Sequence, residues 1–172
     1  MRLTPIFQSQ VSYSSILAGG VTSSRLQGLT TPQLEQIAGI IKVREVEIEE
    51  VVVQERGYGD TLYLVDSGRV TIHVASPDGD QVVATLSSPR QDQISYEGDF
   101  FGEMCLLDLE PRCATVIAEE ASTLWEINRD DLYWLFGDDK ELQLRILLTV
   151  ARVLSRRLSL MDSIAATGTR RG

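Results

Sequence analysis

Two charged side chains of opposite sign, Glu103 and Arg112, stand in a run that is otherwise mostly apolar, Phe100 to Val116. Ionised groups among apolar neighbours are costly unless they are paired or bound to something. The run reads as a glycine turn at Gly102, one short helical turn, a return loop through Pro111 and a strand from about Ala114. Backbone amides of residues 102–105 then lie at the start of the short helix. N–H groups there lack intrahelical partners and the dipole favours an anion. An Arg fork beside them completes a phosphate site, and a carboxylate acceptor suits a sugar hydroxyl. The combination points to a phosphorylated sugar. The competing arrangement is an internal Glu103–Arg112 ion pair that holds no ligand.

Other chemistries find little support. The one histidine, His73, falls on the polar side of its strand and reads as a solvated side chain. Metalloenzymes built on β-barrels need several converging His or carboxylate ligands. A Ser-His-Asp set would need a second candidate base, and no P-loop or dinucleotide motif occurs. A non-catalytic role is expected. The two cysteines, Cys105 and Cys113, form neither a disulfide framework nor a zinc site. They read as small buried thiols in a reducing compartment.

The elements that must position this chemistry follow from periodicity. At 172 residues, with 43% hydrophobic and 24% charged side chains, the chain favours one domain with a full core. A net charge of −9 opposes a general nucleic-acid surface. No apolar run approaches the ~18 residues of a membrane span, and no secretory signal is legible. A cytoplasmic protein is expected, with no membrane and no nucleic-acid partner.

Residues 1–25, rich in Ser and Gly, read as a flexible arm. Thr31 is the expected N-cap of a short helix with Pro32 at its first position, and Leu34, Ile37, Ala38 and Ile41 form its buried face. From Val43 the period becomes two, with Val46 and Ile48 alternating with Glu45, Glu47 and Glu49. Turns, most of them glycine-bearing, then separate short strands at 51–53, 62–65, 69–74, 81–86, 114–118 and 123–127. Such spacing indicates a barrel or jelly roll. Asn128 caps a helix that carries Leu132, Leu135 and Phe136 and stops at Gly137. A longer helix runs from after Asp139 to about Ile164 with two apolar stripes. One holds Leu144, Leu147, Leu148, Ala151, Leu154 and Leu158, the other Ile146, Val150, Val153 and Leu160. One stripe can pack on the barrel while the other meets a second copy, so a homodimer through this helix is expected.

The run Phe101-Gly102-Glu103-Met104-Cys105, followed at the usual spacing by Pro111-Arg112-Cys113-Ala114-Thr115-Val116, is similar to the phosphate-binding cassette of the cyclic nucleotide-binding domains. That family includes regulatory subunits of cAMP-dependent protein kinase and the catabolite activator protein. Gly59-Asp60, Leu62-Tyr63-Leu64-Val65 and Ser67-Gly68-Arg69-Val70 resemble the pattern that builds the front of the family's barrel, so the resemblance covers roughly residues 30–160. It implies a mainly β fold with flanking helices: a double-stranded β-helix (jelly-roll) barrel with a short N-terminal and a long C-terminal helix. The implied division is an arm over 1–25, a domain over 26–164 (barrel about 43–127, C-terminal helices about 129–164) and a tail over 165–172.

The resemblance also implies the roles. Arg112 contacts the cyclic phosphate, supported by amides of Met104, Cys105 and Cys113, with Ala114 alongside. Glu103, with the Gly102 backbone, takes the ribose 2′-hydroxyl. Members with Thr after the cassette Arg often prefer cGMP; Cys113, a poor donor, favours cAMP here. Val83 lies along the base, and the long helix lids it near Met161 and Asp162, where Asp162 could accept from the adenine amino group or simply be a solvated acid. Three departures stand out. Glu49 and Arg56 replace turn glycines, so Gly57 is expected to carry one turn in shifted form. The segment 87–97 is longer than usual and reads as a solvated loop. With few residues following the long helix, no DNA-reading module of the kind found in the family's transcription factors is expected. The expected function is a cAMP sensor that signals through its C-terminal helix to an unknown downstream protein. The alternative is a ligandless barrel serving as a dimerisation or docking scaffold.

Overall fold

The computed structural model describes residues 28–168 apart from 78, 89–98 and 109, with side chains described as far as residue 159. The expected arm over 1–25, most of the 87–97 segment, the end of the tail and the Asp162 side chain lie outside the described residues.

Helix α1 (Thr31–Ile40) begins one residue earlier than expected. The Thr30 amide donates to Gln33 Oε1 at 3.0 Å, so Thr30 and Gln33 frame the capping box. Thr31 has Leu34 at the corresponding position and cannot. Strand β1 (Ile41–Val46) follows without a break. It ends at Val46, and Ile48, expected on a half-buried strand, is 61% exposed. The chain turns there: the Glu50 amide donates to the Glu47 carbonyl at 3.1 Å, and Glu49 sits at φ 66°.

The remaining strands are β2 (Val51–Val53), β3 (Thr61–Ser67), β4 (Arg69–Val74), β5 (Gln81–Ser87), β6 (Phe100–Phe101), β7 (Thr115–Ala118) and β8 (Ser122–Asn128). They form two antiparallel four-stranded sheets, ordered β1-β8-β3-β6 and β2-β7-β4-β5. The expected jelly-roll architecture is therefore present, as two sheets that do not close into a continuous barrel. One core lies between them and includes Val65, Val70, Leu86, Phe101, Val116 and Leu124. A second joins the first sheet to the helices through Ile37, Leu64, Trp125, Leu132, Phe136, Leu142 and Ile146.

Asn128 caps α2 (Arg129–Asp138) by accepting from the Asp130 amide at 2.8 Å, and Gly137 lies inside the helix, one residue short of its end. Asp139 breaks the run. Its carboxylate accepts the Leu142 amide at 2.8 Å, which starts α3 (Lys140–Gly168), and also the Gln33 side chain at 2.8 Å, which ties α1 to this corner. The row Leu142, Ile146 and Val150 is buried, whereas Leu144, Leu148 and Leu158 are exposed. Each buried aliphatic contributes about 1.5–3 kcal/mol, enough together to fix the rotation of α3. The stripe of Ile146 and Val150, extended by Leu142, faces the sheet.

Candidate ligand-binding site

The cassette strand of the first sheet, β6, feeds Gly102 and then a single 3₁₀ turn over Glu103–Leu106. Gly102 stands at φ 79°, a conformation that glycine adopts without a Cβ penalty. This reversal sends Glu103 inward: its side chain is 8% exposed. Tyr133 on α2 donates its hydroxyl to the Leu106 carbonyl at 2.7 Å and holds the end of the turn.

Arg112 enters from the return loop. Its Nη1 donates to the Gly102 carbonyl at 3.1 Å and its Nη2 to the Thr61 carbonyl at 2.8 Å. Two glycines make room for it. A Cβ on Gly59 would stand 2.7 Å from Arg112 Nη2, and one on Gly102 would stand 2.8 Å from Nη1 and 2.7 Å from the Thr61 carbonyl. The backbone of Arg112 is fixed as well, donating to the Gly57 carbonyl at 2.8 Å and accepting from the Arg56 amide at 2.7 Å. The turn that makes these bonds carries its positive φ at Arg56, 63°. Gly57 therefore takes over nothing, and the expected shift of the turn does not occur. Beside the slot, the Asn128 side chain at 3.0 Å holds the Asp60 carboxyl below the usual carboxylate range, with smaller help from Thr61 and the charge of Arg112.

Glu103 does not pair with Arg112. Its partner is Arg157 on α3, Nη1 to Oε1 at 3.0 Å. Arg157 also donates to the Phe100 carbonyl and stands 5.6 Å from the centre of the Phe100 ring. The internal Glu103–Arg112 ion pair weighed from sequence is thus replaced by one that joins the cassette to the long helix. Arg157 was not singled out in sequence, although a signal exists. It continues the sheet-facing row of Ile146, Val150 and Val153 at helical spacing, where a charge is out of place.

Of the two expected buried thiols, Cys105 is buried and Cys113 is not. Cys105 is 5% exposed and belongs to the helical core, and burial pushes its thiol up from the ordinary value. Cys113 is exposed, because it follows Arg112 in the loop before β7 opens rather than packing beneath α2. Among the described residues, the amides of Met104 and Cys113 have no hydrogen-bond partner, while the Cys105 amide makes a long bond, 3.3 Å, to the Gly102 carbonyl.

These groups surround a cavity of about 290 Å³, near the lower end of small-ligand sites. Eight of the expected residues line it: Val83, Gly102, Glu103, Met104, Cys105, Arg112, Cys113 and Ala114. The ninth, Asp162, has its side chain outside the described residues. Gly59, Ile72, Val74, Glu110 and Arg157 join them. Charge gathers at the cassette, and the strands β4 and β5 opposite offer only aliphatic surface through Ile72, Val74, Val83 and Ala84. Such a cavity takes a ligand with an anionic end and a flat, apolar body.

The profile of the cyclic nucleotide-binding domain family matches residues 43–139. The chain belongs to this family. As a cyclic nucleotide-binding domain it is 32% identical over 106 residues to the cAMP-dependent protein kinase regulatory subunit of Mycosarcoma maydis, covering 60% of this chain and 20% of that protein. It is 29% identical over 123 residues to the cGMP-dependent protein kinase of Plasmodium berghei (strain Anka), covering 72% and 13%. The chain thus spans a fifth or less of these two relatives. A cyclic nucleotide-binding domain from Methylobacillus flagellatus KT shares the fold, with a TM-score of 0.75 at 23% identity over 90% of this chain and 83% of that one. Among the described residues, no helix is long and apolar enough to cross a membrane.

Proposed function

We propose that this domain is a cytoplasmic cyclic-nucleotide sensor, regulatory rather than catalytic, with cAMP as its ligand. The observation that carries the reading is one cavity onto which a glycine-slotted Arg112 and a buried Glu103 both open, facing an aliphatic wall. The cyclic phosphate contacts Arg112 through charge-assisted bonds, supported by the amides of Met104, Cys105 and Cys113, with Ala114 alongside. Glu103 and the Gly102 backbone take the ribose 2′-hydroxyl, and the base lies along Val83. The Cys113 thiol is a weak donor and gives guanine no strong bond, which favours adenine.

The link from Glu103 to Arg157 supports a signalling route. A ligand hydroxyl that engages Glu103 alters the contact anchoring α3, and the ligand stabilises whichever position of α3 closes the cavity best. The exposed stripe of Leu144, Ala151 and Leu158, with Leu147 and Leu154 between them, repeats at three and four residues. That is the spacing of a two-stranded coiled-coil seam, and it supports a homodimer whose geometry changes with α3. Residues 26–164 form the working unit, with its barrel over 43–127 and its helices over 129–164. The signal passes to another protein.

Calorimetric titration with cAMP and then cGMP tests this reading. Binding of cAMP in preference to cGMP is expected. Arg112→Ala should weaken it by about 2–5 kcal/mol, which is more than about 30-fold. Absence of heat and of any thermal shift at saturating nucleotide would leave the domain a ligandless scaffold.

A further inference from the structure

Arg112 borders two cavities. Besides the one at the cassette, it lines a second of about 160 Å³, walled by β2, the loop from Gln54 to Gly59 and the start of β3. Val53 and Gly59 belong to both linings, so the guanidinium and this loop form the partition between them. A water occupies about 30 Å³, so the second cavity holds one small polyatomic ion with a few waters. It falls below the range of small-molecule sites.

Its lining is cationic, in a protein with a net charge of −9. Among the described residues no carboxylate lines this cavity, and Arg112 is its one charged group. Asp60, next in the chain, is engaged by the Asn128 side chain at 3.0 Å. The loop also brings free donors. Among the described residues, the amides of Tyr58 and Gly59 have no hydrogen-bond partner, whereas the Gly57 amide donates to the Gln54 carbonyl at 3.0 Å. Consecutive unpaired amides form an anion-binding concavity. Of the five guanidinium N–H groups, two go to the Gly102 and Thr61 carbonyls. The Nε edge lies against the loop, 3.0 Å from where a Cβ on Gly59 would stand. Tyr63 forms a rigid wall, buried and stacked on Phe101 with ring centres 4.9 Å apart. Donors around one cation, with no carboxylate competing, select a small oxyanion.

We propose that this cavity is a second anion site, taking an inorganic oxyanion of the size of phosphate, and that its occupancy lowers the affinity of the cassette for cyclic nucleotide. The coupling rests on the function proposed above; the site itself does not. Anions on either side of the partition divide the donors of Arg112 and repel each other. Both can be bound at once, so the repulsion is finite and phosphate acts as a partial inhibitor rather than a competitor.

The test titrates the full chain with inorganic phosphate, at an ionic strength held constant with sodium gluconate, whose anion is larger than phosphate. Nucleotide-free protein should bind phosphate saturably. Gln54→Glu, which adds a carboxylate to the wall, should lose that binding. Gln54 is exposed and its side chain bonds only Thr115 Oγ1, at 3.1 Å, a bond that a carboxylate keeps by accepting from the hydroxyl, so the variant should fold. In cAMP titrations of the parent, phosphate should raise the Kd about five- to tenfold, an ordinary coupling between sites, and then reach a plateau. The variant should show no response. Equal phosphate binding in parent and variant, or an effect on cAMP that grows without limit, would put phosphate at the cassette and overturn the proposal. Absence of phosphate binding would overturn it too. Phosphate binding that depends on Gln54, in a chain that binds no nucleotide, would instead overturn the function proposed above and leave the second site standing.

Discussion

Arg112 is oriented by the protein's own carbonyls. The bonds to Gly102 and Thr61 fix the guanidinium plane, and the remaining donors keep a defined direction into the cavity. Preorganised donors bind an anion without a reorganisation cost. Gly59 is the residue on which that orientation turns, since a methyl there would meet Nη2 at 2.7 Å. Gly59→Ala is expected to displace the guanidinium from Thr61 at a cost of about 1.5–3 kcal/mol in affinity, roughly ten- to 150-fold. The melting temperature should change little, because Gly59 lies at the rim of the site. Parallel titration and thermal melting separate the two effects. Glu103 is the complementary case. It is buried yet paired with Arg157, so neither charge bears the penalty of an isolated buried ion.

Two turns make the elements around the site tighter than their sequence suggests. Glu49 and Arg56 adopt left-handed backbone at 66° and 63°, and the second of these turns is bonded to the backbone of Arg112. Left-handed geometry costs a non-glycine residue about 1–2 kcal/mol, while glycine costs about 0.4–1 kcal/mol more in unfolded-chain entropy. Arg56→Gly is therefore expected to stabilise the fold by up to about 1 kcal/mol, raising the melting point by about 2–4 °C. A fall would contradict the assignment of strain to this turn. Much of the element order was legible in the sequence, because the cassette residues are contiguous and the strands alternate with period two. The turn at Arg56 was misjudged because local preference favours glycine, whereas the reciprocal bonds to Arg112 impose the conformation from outside. Gly59 and Arg157 were missed because their partners are far away in sequence: Arg157 meets Glu103 across 54 residues. Ile48 was misplaced because alternation continues past Val46 although pairing with β8 stops there.

At the scale of the molecule, α3 connects everything else. Leu142, Ile146 and Val150 seat it on the first sheet, Arg157 fastens it to the cassette, and Leu144, Leu148 and Leu158 face outward. Both stripes were visible in the sequence, but which of them packs inward depends on the corner built by Asp139, Gln33 and the capped start of α3. If the outward stripe is a dimer seam, Leu144→Glu with Leu158→Glu should give a folded monomer by sedimentation, with cAMP affinity retained at the cassette. A dimer surviving both changes would place the interface elsewhere. In the proposed complex the cavity between the cassette and strands β4 and β5 holds a cyclic nucleotide with its phosphate on Arg112. Its most direct test is the position of the phosphorus atom in crystals grown with cAMP. The phosphate is expected within hydrogen-bonding reach of the Arg112 guanidinium, with the ribose 2′-hydroxyl on Glu103. A nucleotide bound elsewhere, or one whose phosphate points away from Arg112, would contradict it.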